Sequence, residues 1–256
     1  MAGVAMGKEV IVNNEGLLRN LLGTVEDSYF EVRLQGAACL EMVARYWKTA
    51  DALVEAGFIP VLLTNLSDME EIVELHLDTL QSLFYCDGKK IALEEDGFQT
   101  LVKVLDRDEG AILAKGCQAL VKLCMVKEGR KLAKELNLLK DFNRLLHDER
   151  PEVYSAAAEA IMFCTIKSAE KITASKIRSM PKRLVELSRN KLNPTAQIFA
   201  IKALTCICEH PLVRQDVRTN HYKDVETIQL NEERPEIAAL KNTLMTMLQW
   251  VPHRQN

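Results

Sequence analysis

The feature that most constrains this chain is an internal repeat of about forty residues. The segments VRLQGAACLEMV (from Val32), IVELHLDTLQSL (from Ile72), ILAKGCQALVKL (from Ile112), VYSAAAEAIMFC (from Val153) and AQIFAIKALTCI (from Ala196) stack with Leu40, Leu80, Leu120, Ile161 and Leu204 in one column, at intervals of 40, 40, 41 and 43. A second column gives the same period. A small or polar residue precedes an apolar or ring residue at Gly16-Leu17, Gly57-Phe58, Gly97-Phe98, Asn137-Leu138, Ser179-Met180 and Asn220-His221, in steps of 41, 40, 40, 42 and 41. A repeat of this length is one supersecondary unit that buries its apolar faces on neighbours rather than in one central core.

Within each unit the pattern is helical. LQSLF, LVKLC and AIMFC place apolar residues three and four apart, the spacing of one stripe on a helix. Shorter apolar runs precede them (FIPVLLTNLSD, FQTLVKVLDRD, MPKRLVELSRN), and before those come two-turn segments such as TADALVEAG. Gly or Asn at the end of the two-turn segment is expected to take the left-handed conformation that stops a helix. Ser67, Asp68, Asp106, Asp108, Asp148 and Asn193 suit the turns and N-caps that follow. The unit is read as short, middle and long helix, repeated over 8–48, 49–88, 89–127, 128–168, 169–210 and 211–252. The whole of 1–256 is taken as one helical repeat domain; its loosest joints are Asn190 to Pro194 and Leu230 to Pro235.

The residues of VEAGFIPVLLTNL and ALVKLC resemble the armadillo repeat. The expected fold is therefore all-α, a right-handed α-solenoid of about six armadillo-like three-helix repeats. A two-helix HEAT unit leaves the separate short helix unexplained. The first unit opens at Lys8, and its apolar face, with candidate edge residues Val10, Leu17, Leu18 and Leu21 beside Ile11 and Leu22, has no polar cap before it. The expectation is that a partner covers this edge or that the chain is a shortened form of a longer solenoid. Trp250 and the PHRQN tail are read as a terminating cap.

Composition narrows the chemistry. With 33 Lys and Arg against 36 Asp and Glu, a net charge of -3 disfavours a nucleic-acid partner, which needs a clustered excess of cations. The odd set of seven Cys (39, 86, 117, 124, 164, 206, 208) lies mostly in apolar helical runs and reads as reduced, buried thiols. No run reaches the roughly 18 apolar residues of a membrane span, and the first dozen residues lack a signal-peptide h-region. A soluble, cytoplasmic protein is expected. Gly88-Lys89-Lys90 lacks the glycine of a phosphate loop, no GxSxG, HExxH or GxGxxG occurs, and the five His are scattered. Cys206 and Cys208 lack the spacing and companions of a zinc site. No catalytic residue, metal, cofactor or small-molecule substrate is expected. The basic runs Lys127 to Lys134 and Lys176 to Arg183, and the acidic Glu94-Glu95-Asp96, are read as solvated surface.

What remains is binding. The armadillo resemblance implies a concave groove lined by the third helices and open to extended peptides or partner proteins. Candidate groove residues are Gln35, Asp78, Ser82, Lys115, Gln118, Lys122, Glu159 and Lys202. Importin-α-like grooves carry a ladder of Trp and Asn; here the matching positions hold Ala38, Asp78, Gln118, Glu159 and Lys202 for Trp, and Met42, Ser82, Lys122, Met162 and Cys206 for Asn. Nuclear-signal binding is disfavoured. A uniformly basic β-catenin-like groove is also absent, since Asp78 and Glu159 mix with Lys115, Lys122 and Lys202. The words LDTLQSL, SAAAEAIMFCT, AIKALTCICEHP and LQWVP resemble, in order, the armadillo proteins of the axonemal radial spoke head. That resemblance implies a structural, non-enzymatic role in cilia or flagella, with other spoke subunits as partners. The alternative is a cytosolic adaptor or chaperone-like module that binds peptides in the groove.

Overall fold

The computed structural model describes residues 2–85, 87–231 and 233–251. It contains eighteen α-helices in six groups of three among those residues. The chain forms two compact units, 1–132 and 133–256, with the boundary inside a helix rather than at either loose joint.

The first unit holds α1 (Ala5–Val12), α2 (Glu15–Val25) and α3 (Phe30–Ala44), then α4 (Trp47–Glu55), α5 (Phe58–Thr64, continued by a 3-10 turn Asn65–Ser67) and α6 (Glu70–Leu83). The third group is α7 (Gly88–Glu94), α8 (Gly97–Val104) and α9 (Gly110–Cys124), after which α10 (Lys127–Glu135) crosses the boundary. The second unit continues with α11 (Leu138–Leu146) and α12 (Pro151–Cys164), then α13 (Ser168–Ala174), α14 (Ser179–Ser188) and α15 (Pro194–Ile207). It closes with α16 (Pro211–Asn220), the one-turn α17 (Tyr222–Glu226) and α18 (Glu236–Gln249). The first helix begins at Ala5, earlier than the repeat start at Lys8.

The two sequence columns are columns of burial. Leu40, Leu80, Leu120, Ile161, Leu204 and the Leu244 of α18 are all 0% exposed. Phe58, Phe98, Leu138 and Met180 of the other column are also buried. Burying each such side chain stabilises by about 1.5–3 kcal/mol, and this is the physical pressure behind the period. Third helices pack on the second helix of their own repeat and on the third helix of the next, as α2, α3, α6 and α9 do in the first unit and α11, α12 and α15 in the second.

Corners between first and second helices follow the sequence expectation in only some repeats. Gly57 (φ 81) and Asn137 (φ 55) are left-handed as expected, but in the third repeat it is Asp96 (φ 53), not Gly97, that takes this conformation. Gly97 serves a different need: a Cβ there would stand 2.6 Å from the Ala92 carbonyl and 2.8 Å from Leu63. No left-handed residue marks the Arg178–Ser179 or Asn220–His221 corner. Asn14 and Asn193 accept from the backbone N–H of Leu17 (3.1 Å) and Ala196 (3.0 Å), closing the N-termini of α2 and α15.

Side chains from one repeat also cap its predecessor. Asn65 donates to the Val25 carbonyl (3.0 Å), Arg107 to the Leu66 carbonyl (3.4 Å) and Arg183 to the Leu146 carbonyl (3.0 Å). Each satisfies a carbonyl left open where a second helix ends. Arg33 adds a bidentate pair to Asp68 (2.7 and 2.9 Å), tying the first repeat to the second.

Candidate functional site

The face left open by this packing is the one expected for partner binding. The ten positions compared with the Trp and Asn ladders are all half-buried or exposed, while Leu40, Leu80, Leu120, Ile161 and Leu204 between them are buried. They form a stripe along α3, α6 and α9 in the first unit, and along α12 and α15 in the second.

In the first unit this stripe is internally paired. The Lys115 amine on α9 donates to Glu74 and to Asp78 on α6, at 2.9 Å each. Burial works against the Lys115 charge, but the hydrogen bonds to Asp78 and Glu74 outweigh it and hold the pKa above the usual lysine value. Asp78 and Lys115 are thus one bridge between repeats rather than two charges offered to a partner. The mixture of charges on this face therefore includes acids and a lysine that hold one another. The Ser82 hydroxyl donates back to the Asp78 carbonyl (3.2 Å), and Gln118 lies half-buried on α9. The Lys122 amine contacts the Tyr85 hydroxyl and lies 3.6 Å from the centre of its ring.

Gln35 sits apart from this group. It stands two repeats before Lys115 and rims an apolar cavity of about 530 Å³ between α2 and α3. Ile11, Leu17, Leu21, Val32 and Cys39 line this cavity. Of the expected exposed edge, Val10 is 43% exposed and Leu17 and Leu18 are half-buried, but Leu21 is buried. The correction has a simple origin: Leu21 shares with Val25 the face of α2 that packs on α3. In the second unit Glu159 and Lys202 are half-buried on α12 and α15, with the Lys202 amine 5.7 Å from the Phe199 ring centre.

Three side chains escaped the sequence reading. Trp47 (76% exposed), Tyr85 (75%) and Met125 (51%) follow the ends of α3, α6 and α9, near the ladder position Met42 (41%) in the last turn of α3. The search for a tryptophan ladder looked at the middle of the third helix, whereas these lie at its end. Their signal was a large apolar residue just past the third helix in consecutive repeats. Lys48 stands 5.7 Å from the Trp47 ring, so an aromatic and a lysine recur together here and at Tyr85.

The described Cys residues are unbridged, and burial pushes the Cys208 thiol up to about 12. Cys86 and the PHRQN tail lie outside the described residues. Trp250 carries the Arg214 guanidinium 4.7 Å from its ring centre. Among the described residues no single helix is long and apolar enough to cross a membrane.

No family model and no curated protein matches the chain. Solved structures do. A designed armadillo repeat protein superposes with a TM-score of 0.79 at 17% identity, covering 91% of this chain and 100% of its own. A second designed armadillo repeat protein, solved in complex with the peptide (KR)4, gives a TM-score of 0.71 at 21% identity, covering 80% and 87%. An engineered protein reaches 0.84 at 20% identity over 98% of this chain and 62% of its own. The fold is accordingly an all-α solenoid of armadillo-like repeats.

Proposed function

We propose that the protein is a non-enzymatic scaffold that binds other proteins along its third-helix face. The observation that carries this reading is the row of exposed Trp47, Tyr85 and Met125 at successive third-helix ends, beside the lysines Lys48 and Lys122. Large exposed side chains give a wide contact area, and aromatic residues and Met are enriched in binding surfaces. The armadillo neighbour solved with a peptide supports this use of the fold. The ligand class differs, however. Glu74 and Asp78 are already held by Lys115, and Lys122 faces outward, so a peptide with apolar side chains and an occasional acid fits this face better than a basic one. Selection of peptides on the full chain, read by fluorescence anisotropy, tests the reading. Tyr85→Ala and Lys122→Glu should each weaken the selected peptide about tenfold, and Glu159→Lys should change affinity for any peptide long enough to reach α12. Tight binding indifferent to all three places the contact elsewhere and overturns the groove.

In its finer form the scaffold is a structural subunit of the radial spoke head in cilia or flagella, with spoke proteins as partners. The ordered words LDTLQSL, SAAAEAIMFCT, AIKALTCICEHP and LQWVP support it. The tagged chain should then fractionate with axonemes; a diffuse cytosolic pool in ciliated cells defeats this form and leaves the adaptor reading standing.

A further inference from the structure

A second surface, separate from the groove, lies on the second helices of 133–256. Counting three residues on from the Asn137, Ser179 and Asn220 column reaches Lys140, Lys182 and Lys223, on α11, α14 and α17, and all three are exposed. These helices are neighbours: Asn143 donates to the Ser179 hydroxyl (3.1 Å), and Arg189 pairs with Asp224 (2.8 Å). On the N-terminal side of the first two of these corners, Lys134, Lys176 and Arg178 add further exposed cations. None of the six has an acidic partner among the described residues.

The acids beside Lys140 and Lys182 are engaged, while Glu226, three residues after Lys223 on α17, is exposed. Arg183 holds Glu186 (3.2 Å), Arg189 holds Asp224, and Glu135 and Asp141 have partners of their own. Lys140 and Lys182 lie in the first turns of α11 and α14, where a cation opposes the helix dipole. They therefore do nothing for the stability of their own helices. The same register in the first unit carries Arg19, Pro60 and Thr100, and Glu94 and Asp96 stand in place of Lys134 and Leu136. A cation at this register in every repeat is a feature of the second half; the first half has it once.

We propose that this face docks an acidic segment of a partner protein that also carries apolar side chains. Two observations favour a protein segment, the first over a nucleic acid and the second over any polyanion or anionic surface larger than the patch. Leu136 (41% exposed) and Ile172 (50%) are interleaved with the cations and offer apolar contact that a phosphate backbone cannot use. The rest of the chain is acidic, with 21 Asp and Glu against 14 Lys and Arg in 1–132, and repels an extended polyanion that outruns the patch.

The test uses the full chain and a short synthetic peptide of Glu and Asp with Leu at every fourth position, read by anisotropy. Binding should weaken as salt rises. The triple variant Lys140→Glu, Lys182→Glu, Lys223→Glu should weaken it by about tenfold or more, from three exposed pairings each replaced by repulsion. The corresponding Gln triple should weaken it by about threefold and keeps the test open if the Glu triple does not fold. Lys103→Glu, on α8, should leave binding unchanged. The proposal fails if the peptide does not bind, if the Glu and Gln triples bind as the parent does, or if oligo-dT or phosphatidylserine vesicles bind more tightly than the peptide.

Discussion

The two halves of this chain share a module and almost nothing of its surface. Residues 1–132 carry 14 basic and 21 acidic side chains, while 133–256 carry 19 and 15. The first unit joins its repeats partly through ion pairs, Arg33 with Asp68 and Lys115 with Glu74 and Asp78. The second relies more on neutral groups: Asn193 donates to the Ser155 hydroxyl (3.0 Å) and Gln197 to the Gln229 carbonyl (3.0 Å). Their third-helix faces diverge as well, with Tyr85, Lys122 and Trp47 in one and Met162, Phe199 and Lys202 in the other. A repeat fold permits this because each module is held by its buried columns, and the outward positions are free to differ.

If the buried columns are equivalent, breaking them should cost alike in both halves. Phe98→Ala should lose about 3–5 kcal/mol and Met180→Ala about 2–5 kcal/mol in denaturant unfolding, both side chains being 0% exposed. A loss below 1 kcal/mol at either would end the equivalence.

The next effect separates the halves. His76 occupies the column that holds Gly36, Gly116, Ala157 and Ala200 in the other repeats, and it is fully buried with no partner on either ring nitrogen. Small residues are needed at Gly36 and Gly116, where a Cβ would meet Thr24 at 2.6 Å and Val104 at 3.1 Å. Burial lowers the His76 pKa from 6.5 to about 4, only partly offset by Asp68. Because the unfolded chain binds the proton more readily, the stability contributed by neutral His76 is complete above pH 6.5. It falls by about 1.4 kcal/mol per unit as the pH drops towards 4. His76→Ala should flatten that slope, as seen in chemical denaturation at several pH values. An unchanged slope would mean that the imidazole reaches water.

Smaller effects sharpen the contrast at the corners. Gly57→Ala should cost about 1–2 kcal/mol, since φ 81 is strained for any residue with a Cβ. Asp96→Gly at φ 53 should be neutral or stabilising by up to about 1 kcal/mol. Thermal melts of the two variants moving in the same direction would refute the assignment of Asp96 as the strained stop. Smallest of all, Lys90→Ala should shift stability by less than about 0.5 kcal/mol, because its pair with Glu94 is largely exposed.

Much of the fold was legible because burial leaves a periodic trace: Leu40 to Leu204 and Phe58 to Met180 recur wherever a side chain must leave water. The site was legible only as a face. Asp78, Ser82, Gln118 and Lys122 were placed on it by the armadillo resemblance, laid over the helical register of the third helices. Their pairing was not, since the Lys115 bridge joins residues 37 and 41 positions apart. Trp47 and Tyr85 were missed because the ladder comparison covered the middle of the third helix and not the residues just past its end, and Leu21 was placed at the surface because a terminal repeat and an inner one share the same apolar pattern.

By itself, then, the sequence determined the three-helix unit, its six recurrences and the residues facing inward, all consequences of hydrophobic burial at helical period. Only the tertiary structure decided which charges cancel, which cations on the second helices stay unpaired, and where His76 lies without a hydrogen-bond partner. Those outcomes depend on distances between side chains of different repeats, and no local pattern encodes such distances.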